Sequence, residues 1–370
     1  MNKMVSKEKT ELIIKKLRER YGDDVLKDLE KGNELSLDIV IRTLSNVLFD
    51  EKEQLITLGN KTQKRNFFSI DQARKFMQTL IVADACQDLV KSGKTTSIRS
   101  LYYNTKHTIG DSKENTFEDQ IESDPIIEDI EVSIGALREE LHLRANSKGV
   151  MIGNLTIEDS GDEIDLRKMG SGGWAIPSIV EADIIKFKKC DAKFILFIEK
   201  DTVWGRFNED KFWKKHNCMI IHGGGQPPRG VRRLLRRMHD ELKLPIYVLV
   251  DNDPWGFYIY SVVKQGSINL AYESVRMAVP GAKFIGLSSF DQDKYNLPKE
   301  VTIKLNEGDK KRIKEILNYK WFHKKSWRDE LNHMVKKGVK LELEALSVKD
   351  ISFITDTYLP EKIAKKEWLE

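Results

Sequence analysis

The chain has 370 residues, 40% of them hydrophobic and 32% charged, and a formal net charge of +4. This suits a soluble protein with room for two domains and an extension, and no apolar run is long enough to span a membrane. Cys86, Cys190 and Cys218 are scattered without metal-ligand spacing, so reduced thiols and a cytoplasmic location are expected.

Residues 1–68 read as an N-terminal extension. Ile13, Ile14 and Leu17 supply an apolar stripe in a strongly charged helix, and NVLFD and QLITLGN form a hairpin about the polar turn at 51–53. That stripe is equally compatible with ordinary packing and with docking to a partner subunit. Residues 69–157 read as mostly helical. Ala73, Phe76, Met77, Leu80 and Ile81 repeat at helix period, Ser92 and Gly93 break the pattern, a second helix begins near Ser97, and Pro125 marks another helix start. VMIGNLTI, residues 150–157, reads as a strand pair turning at Gly153 and Asn154. Short helices closed by such a hairpin are the pattern of a winged helix-turn-helix.

Residues 158–182 are rich in turn formers and read as a linker. From 183 to 370 the pattern becomes alternating strand and helix, with strands at FILFI, CMII, IYVLV and KFIGL and a Lys-rich helical elaboration after them. The expected fold is therefore α/β: an α+β DNA-binding domain followed by a doubly wound parallel sheet.

Two of those strands end in acids. FILFIEKD places Glu199 at one strand end, and PIYVLVDNDPWG places Asp251 and Asp253 at another. Alternation along extended chain aims Asp251 and Asp253 to one side and Asn252 to the other. Ligands of open α/β sheets sit beyond the carboxyl ends of strands, and converging carboxylates suit Mg²⁺. The competing reading is that the acids only cap the helices that follow.

Between Lys211 and Arg237 there are eight Lys or Arg residues and no acid. In RGVRRLLRRM, on a helix expected at 231–242, Arg232, Arg233, Arg236 and Arg237 share one face and Val231, Leu234, Leu235 and Met238 line the other; Arg229 precedes it. An all-basic face beside an acidic site is the footprint of a polyanion such as double-stranded DNA, although a merely solvated face has the same pattern.

In SIRSLYYNTKHT, Ile98, Leu101 and Tyr102 line a core-facing stripe, whereas Arg99 and Tyr103 share another side four residues apart. A phenol is a poor nucleophile near neutral pH, and a nearby guanidinium favours the phenolate. His107, one turn further on, is a weaker candidate base. Structural packing alone would also account for a Tyr beside an Arg.

Taken together, these segments closely resemble the A subunit of archaeal DNA topoisomerase VI, a type IIB topoisomerase, and its relative, the meiotic DNA-break-forming transesterase. IRSLYY resembles the active-site motif, FIEKD and DNDPWG the two acidic motifs of a Toprim domain, and EALSVKDISFITDTYLPEKI the C-terminal part. The resemblance implies that Tyr103 is the nucleophile, assisted by Arg99, and that Glu199, Asp251 and Asp253 hold Mg²⁺. It further implies a homodimer of A subunits in which Tyr103 of one protomer works with the acids of the other. ATP is then bound by a separate B subunit, in an A2B2 heterotetramer. No GxxxxGK[ST] phosphate loop occurs in this chain. One departure is HGGGQPPRG, where Gly224 stands in place of a Lys common in the family; Arg229 is a candidate for the missing charge. The rival readings are a Toprim-type hydrolytic nuclease and a DNA-binding regulator without catalysis.

Overall fold

The computed structural model describes residues 7–369, which divide into two compact units. The first comprises residues 7–46 together with 59–146, and the second 47–58 together with 147–369.

The first unit is helical with short strands. Helix Lys7–Arg18 buries Ile13 and Leu17 against helix Ile70–Ser92, so the N-terminal stripe belongs to this unit's core rather than to a separate extension. Strands Ser36–Val40 and Thr62–Asn66 pair antiparallel. Helix Ser123–Ile134 carries Pro125 in its first turn and buries Ile126, Ile127, Ile130 and Ile134 at helix period. Its Asp129 is gripped from both sides, by Arg42 at 2.9 Å and by Arg65 at 2.7 Å.

The expected hairpin at 47–58 forms, from Val47–Asp50 and Leu55–Leu58, but it belongs to the second unit. Ile56 is fully buried there and its N–H donates to the Gln265 carbonyl. The expected hairpin at 150–157 does not form. Val150–Gly153 pairs antiparallel with Met219–His222 in one sheet, and Leu155–Asp159 pairs with Ile185–Cys190 and Asp162–Asp165 in another. Gly153 sits at the parting with φ +137°, and a Cβ there would come within 2.3 Å of the Cys218 carbonyl. Residues 158–182, read as a linker, contain a strand of each sheet, because the segment supplies edges that both sheets need.

The larger sheet has six strands in the order Trp174–Ala175, Val150–Gly153, Met219–His222, Ile195–Ile198, Ile246–Leu249, Lys283–Phe284, the last four parallel. Its faces follow the two-residue alternation of extended chain. Ile195, Phe197, Met219, Ile221, Ile246 and Val248 pack against helices Arg229–Leu242 and Pro254–Lys264. Leu196, Ile198, Ile220 and Leu249 join Val203, Trp204 and Phe207 of helix Asp201–Glu209 and the C-terminal residues Tyr358 and Leu359. Both faces are thus covered, which is why the strands read as unbroken apolar runs. The helical segment that follows Ile195–Ile198 is in two pieces, Asp201–Glu209 and Phe212–Lys215, parted at Lys211 with its φ of +53°. Among the described residues no helix is long and apolar enough to cross a membrane.

Candidate functional site

The tyrosine helix of the first unit, Ile98–Thr105, starts at Ser97, whose hydroxyl accepts from the Ser100 N–H at 2.9 Å. Leu101, Tyr102 and Thr105 are buried. Tyr102 is tied down further: its hydroxyl donates to the Glu118 carbonyl at 3.0 Å and accepts from Lys106 at 3.1 Å. Tyr103 is 59% exposed and its hydroxyl has no hydrogen-bond partner among the described residues. Its ring lies 5.0 Å from that of Tyr102, which limits how the exposed ring can swing. Arg99 is exposed on the same helix and makes no hydrogen bond or ion pair among the described residues; His107 is exposed just past its end.

In the second unit, the C-terminal ends of two neighbouring parallel strands bring Glu199 and Asp251 together, and the Asp251 N–H donates to Glu199 Oε2 at 3.3 Å. Asp253 follows at the start of helix Pro254–Lys264 and accepts from the Gly256 N–H at 2.6 Å, so the helix-capping role is real for one of its oxygens. Gly256 is required by close approach: a Cβ there would stand 2.6 Å from the Asp251 carbonyl. Asn252 points the other way, fully buried, and donates to Glu330 at 3.0 Å.

The electrostatics of this cluster are strained. Burial, then the charges of Asp251 and Asp253, push the Glu199 carboxyl up to about 8. Burial likewise carries Asp251 to about 6, against the pull of Lys200, and raises Asp253. Crowded carboxylates with raised proton affinity are a donor set in need of a cation, and an all-oxygen set fits Mg²⁺. Among the described residues, however, no three His, Cys, Asp or Glu side chains already form a cage for an ion.

Sequence reasoning missed the groups around the acids. Lys200, next to Glu199 in the chain, places its ammonium 2.9 Å from Asp251 Oδ2, 2.9 Å from Glu344 and 3.2 Å from Glu342. Burial opposes its charge, but the bonds to Asp251 and Glu344 outweigh it and its pKa is raised. The Leu343 N–H donates to Asp251 Oδ1 at 2.8 Å. The signals in the sequence were the Lys inside FIEKD and the alternating acids of ELEAL, but nothing local joins them. The glycine loop also has a supporting role, since the Gly225 N–H donates to the Glu199 carbonyl at 2.9 Å. Gly224 has φ +63°, and the side chain lying over it is that of the exposed Lys148.

The arginine helix differs from expectation. Arg229 is buried, 2.9 Å from Glu273 and 3.0 Å from the Tyr272 hydroxyl, so it does not supply a free charge beside Gly224. Arg233 is paired bidentately with Glu181. Arg236 bonds Asp240 and the Ala278 carbonyl, and Arg237, 3% exposed, bonds Glu241 and the Ile185 carbonyl. Arg232 is 3% exposed, and burial lowers its pKa to about 10. Arg229, Arg233, Arg236 and Arg237 brace the helix within its own unit, and Arg232 is buried with them, instead of forming an open polyanion face. The reason is long-range: Glu181, Glu273 and the carbonyls of Ile185 and Ala278 arrive from outside the basic run.

Comparison with known proteins adds three family matches. Residues 194–363 match the Toprim domain that Spo11 shares with the A subunit of topoisomerase 6, residues 74–143 match "Type IIB DNA topoisomerase", and residues 148–191 match "All-beta domain in DNA topoisomerase VI alpha subunit". Along its length the chain is 45% identical to the A subunit of type 2 DNA topoisomerase 6 from Pyrococcus abyssi, over 96% of this chain and 95% of that protein. It is 43% identical to the Hyperthermus butylicus protein of the same name, over 95% of each. The A subunit of DNA topoisomerase 6 from Arabidopsis thaliana is 35% identical over 93% of this chain and 79% of its own length.

Proposed function

Since the chain belongs to the type IIB DNA topoisomerase family, among the A subunits of type 2 DNA topoisomerase 6, we propose that Tyr103 is the nucleophile with which it cuts and rejoins duplex DNA. The enzyme is the catalytic A subunit of a type II topoisomerase. The observation that carries the choice of residue is Tyr103 itself: an exposed phenol with no partner among the described residues, one turn after an unpaired Arg99, on a helix anchored by its buried neighbour.

The Tyr103 oxygen attacks a backbone phosphorus, forming an O–P bond as the bond from phosphorus to the 3′ oxygen breaks. The phenol proton leaves and the 3′ oxygen gains one, so the products are a 5′-phosphotyrosyl link and a free 3′-hydroxyl. No water is consumed, and the reverse attack reseals the strand. Arg99 favours the phenolate and stabilises the negative charge gathering on the phosphoryl oxygens. Mg²⁺, when held by Glu199, Asp251 and Asp253, supplies neutralisation of phosphate charge. The Leu343 N–H keeps Asp251 oriented at the strand end, and in the metal-free protein Lys200 pairs with its other oxygen.

A double-strand break needs two such tyrosines, which supports a homodimer in which Tyr103 meets the acids of the partner protomer. That its relatives are named as A subunits supports a B subunit that binds ATP, with A2B2 stoichiometry. Helices Ile70–Ser92 and Ile98–Thr105, joined by a short turn, support a helix-turn-helix reading of the first unit. The parallel sheet covered on both faces supports a doubly wound Toprim fold for the second. A DNA substrate supports location with the chromosome, in the cytoplasm.

The test is to incubate the A and B subunits with supercoiled DNA, Mg²⁺ and ATP, trap with detergent, and look for protein joined to DNA. Linkage that disappears in Tyr103→Phe supports the proposal. Cutting without linkage points to a hydrolytic nuclease, and binding without cutting to a regulator.

A further inference from the structure

The acidic strand end already holds a cation of its own. Lys200 touches Asp251, Glu342 and Glu344 at once, and these acids differ sharply in setting: the Asp251 side chain is 6% exposed, those of Glu342 and Glu344 52% and 45%. The segment carrying the two glutamates is fastened to the same strand end. Asn252 and Leu341 exchange backbone hydrogen bonds at 2.9 and 3.1 Å, Leu343 N–H reaches Asp251 Oδ1, and Glu344 also accepts from the Thr202 hydroxyl at 3.1 Å. Asp251 therefore offers one oxygen to the C-terminal segment and the other to Lys200.

From this arrangement we infer that Lys200 is a placeholder for the divalent cation, and that metal loading passes its ammonium wholly to Glu342 and Glu344. The inference rests on the metal reading of Glu199, Asp251 and Asp253. An ammonium and a divalent ion cannot both lie against Asp251 Oδ2 without strong repulsion. Lys200 need not return to water to make way, because Glu344 is already within hydrogen-bond distance. The transfer leaves a neutralised acid on each side: the ion on Asp251, the ammonium on the C-terminal segment. Lys200 thus acts as a positioning residue. It keeps Asp251 paired before loading, weakens metal binding by competition, and tightens the segment around 342–344 once the ion is in.

The test uses the full chain and Mn²⁺ as probe, with free Mn²⁺ read by electron paramagnetic resonance. Lys200→Met should bind Mn²⁺ more tightly, on the order of tenfold, the equivalent of one charge-assisted hydrogen bond. Glu342→Gln with Glu344→Gln should weaken Mn²⁺ binding several-fold when Lys200 is present and much less in the Lys200→Met background, because the handover has been removed. Hydrogen exchange of the amides at 343–348 should slow on Mn²⁺ addition in the wild type and respond little in Lys200→Met. The inference is overturned if Lys200→Met binds Mn²⁺ no better than wild type. It is equally overturned if the two glutamates count the same in both backgrounds, which is simple charge at a distance. A Glu199→Ala, Asp251→Ala variant that binds Mn²⁺ as the wild type does removes the metal reading itself, and the inference with it.

Discussion

Replacing Glu199 by Gln is expected to stabilise the metal-free protein while abolishing DNA cleavage. In an unfolded chain this carboxyl ionises near 4.5; in the fold, burial and then the charges of Asp251 and Asp253 hold it protonated up to about 8. Below the lower value both states are protonated and the site costs nothing. As pH rises between the two, ionisation is resisted only in the folded state, and stability falls by about 1.4 kcal/mol per pH unit. The ceiling near pH 8 is about 5 kcal/mol; water at the strand end and the Lys200 charge reduce this, and about 2 kcal/mol is expected. Gln keeps the shape of the side chain and an oxygen to accept from the Asp251 N–H. Urea unfolding in a chelator, followed near pH 5, 6.5 and 8, should show the variant gaining on the wild type as pH rises. A gap that does not change with pH, or a variant less stable at pH 8, would refute the argument that crowded, buried carboxylates strain this site.

The two neighbouring tyrosines should separate by assay. Tyr102→Phe removes the hydroxyl that bonds Glu118 and Lys106, which lowers unfolding stability by about 1 kcal/mol but leaves the covalent protein–DNA link, whereas Tyr103→Phe does the reverse. Asp129→Ala takes the carboxylate from Arg65 and leaves Arg42 with Glu128 and the Pro125 carbonyl, and should lower the stability of the first unit by about 2–3 kcal/mol in a denaturant titration. Arg233→Ala should reduce thermal stability through the lost Glu181 pair while the slope of DNA affinity against salt stays unchanged; a shallower slope would return this residue to the DNA interface.

Local periodicity carried the chemistry-bearing residues a long way. The spacing of Ile98, Leu101 and Tyr102 already separates an inward tyrosine from an outward one, because a helix turns through the same angle whatever surrounds it. The alternation of Asp251, Asn252 and Asp253 likewise assigns two carboxylates to one side and an amide to the other. Apolar runs of strand length named the four parallel strands, because strands covered on both faces need no polar side.

What the sequence could not decide was who stands opposite. Residues 150–157 satisfy a hairpin pattern equally well whether their strands pair with each other or, as here, with strands from two different sheets. The arginines at 233 and 237 look like an open basic face until Glu181 and the Ile185 carbonyl, some fifty residues earlier in the chain, are brought against them. Lys200 meets Glu344 across 144 positions. Periodicity is a property of neighbours along the chain, and so it determines which way a side chain faces. The partner it finds there depends on packing between distant segments, and for the arginines that packing changed an apparent DNA-binding surface into an internal brace.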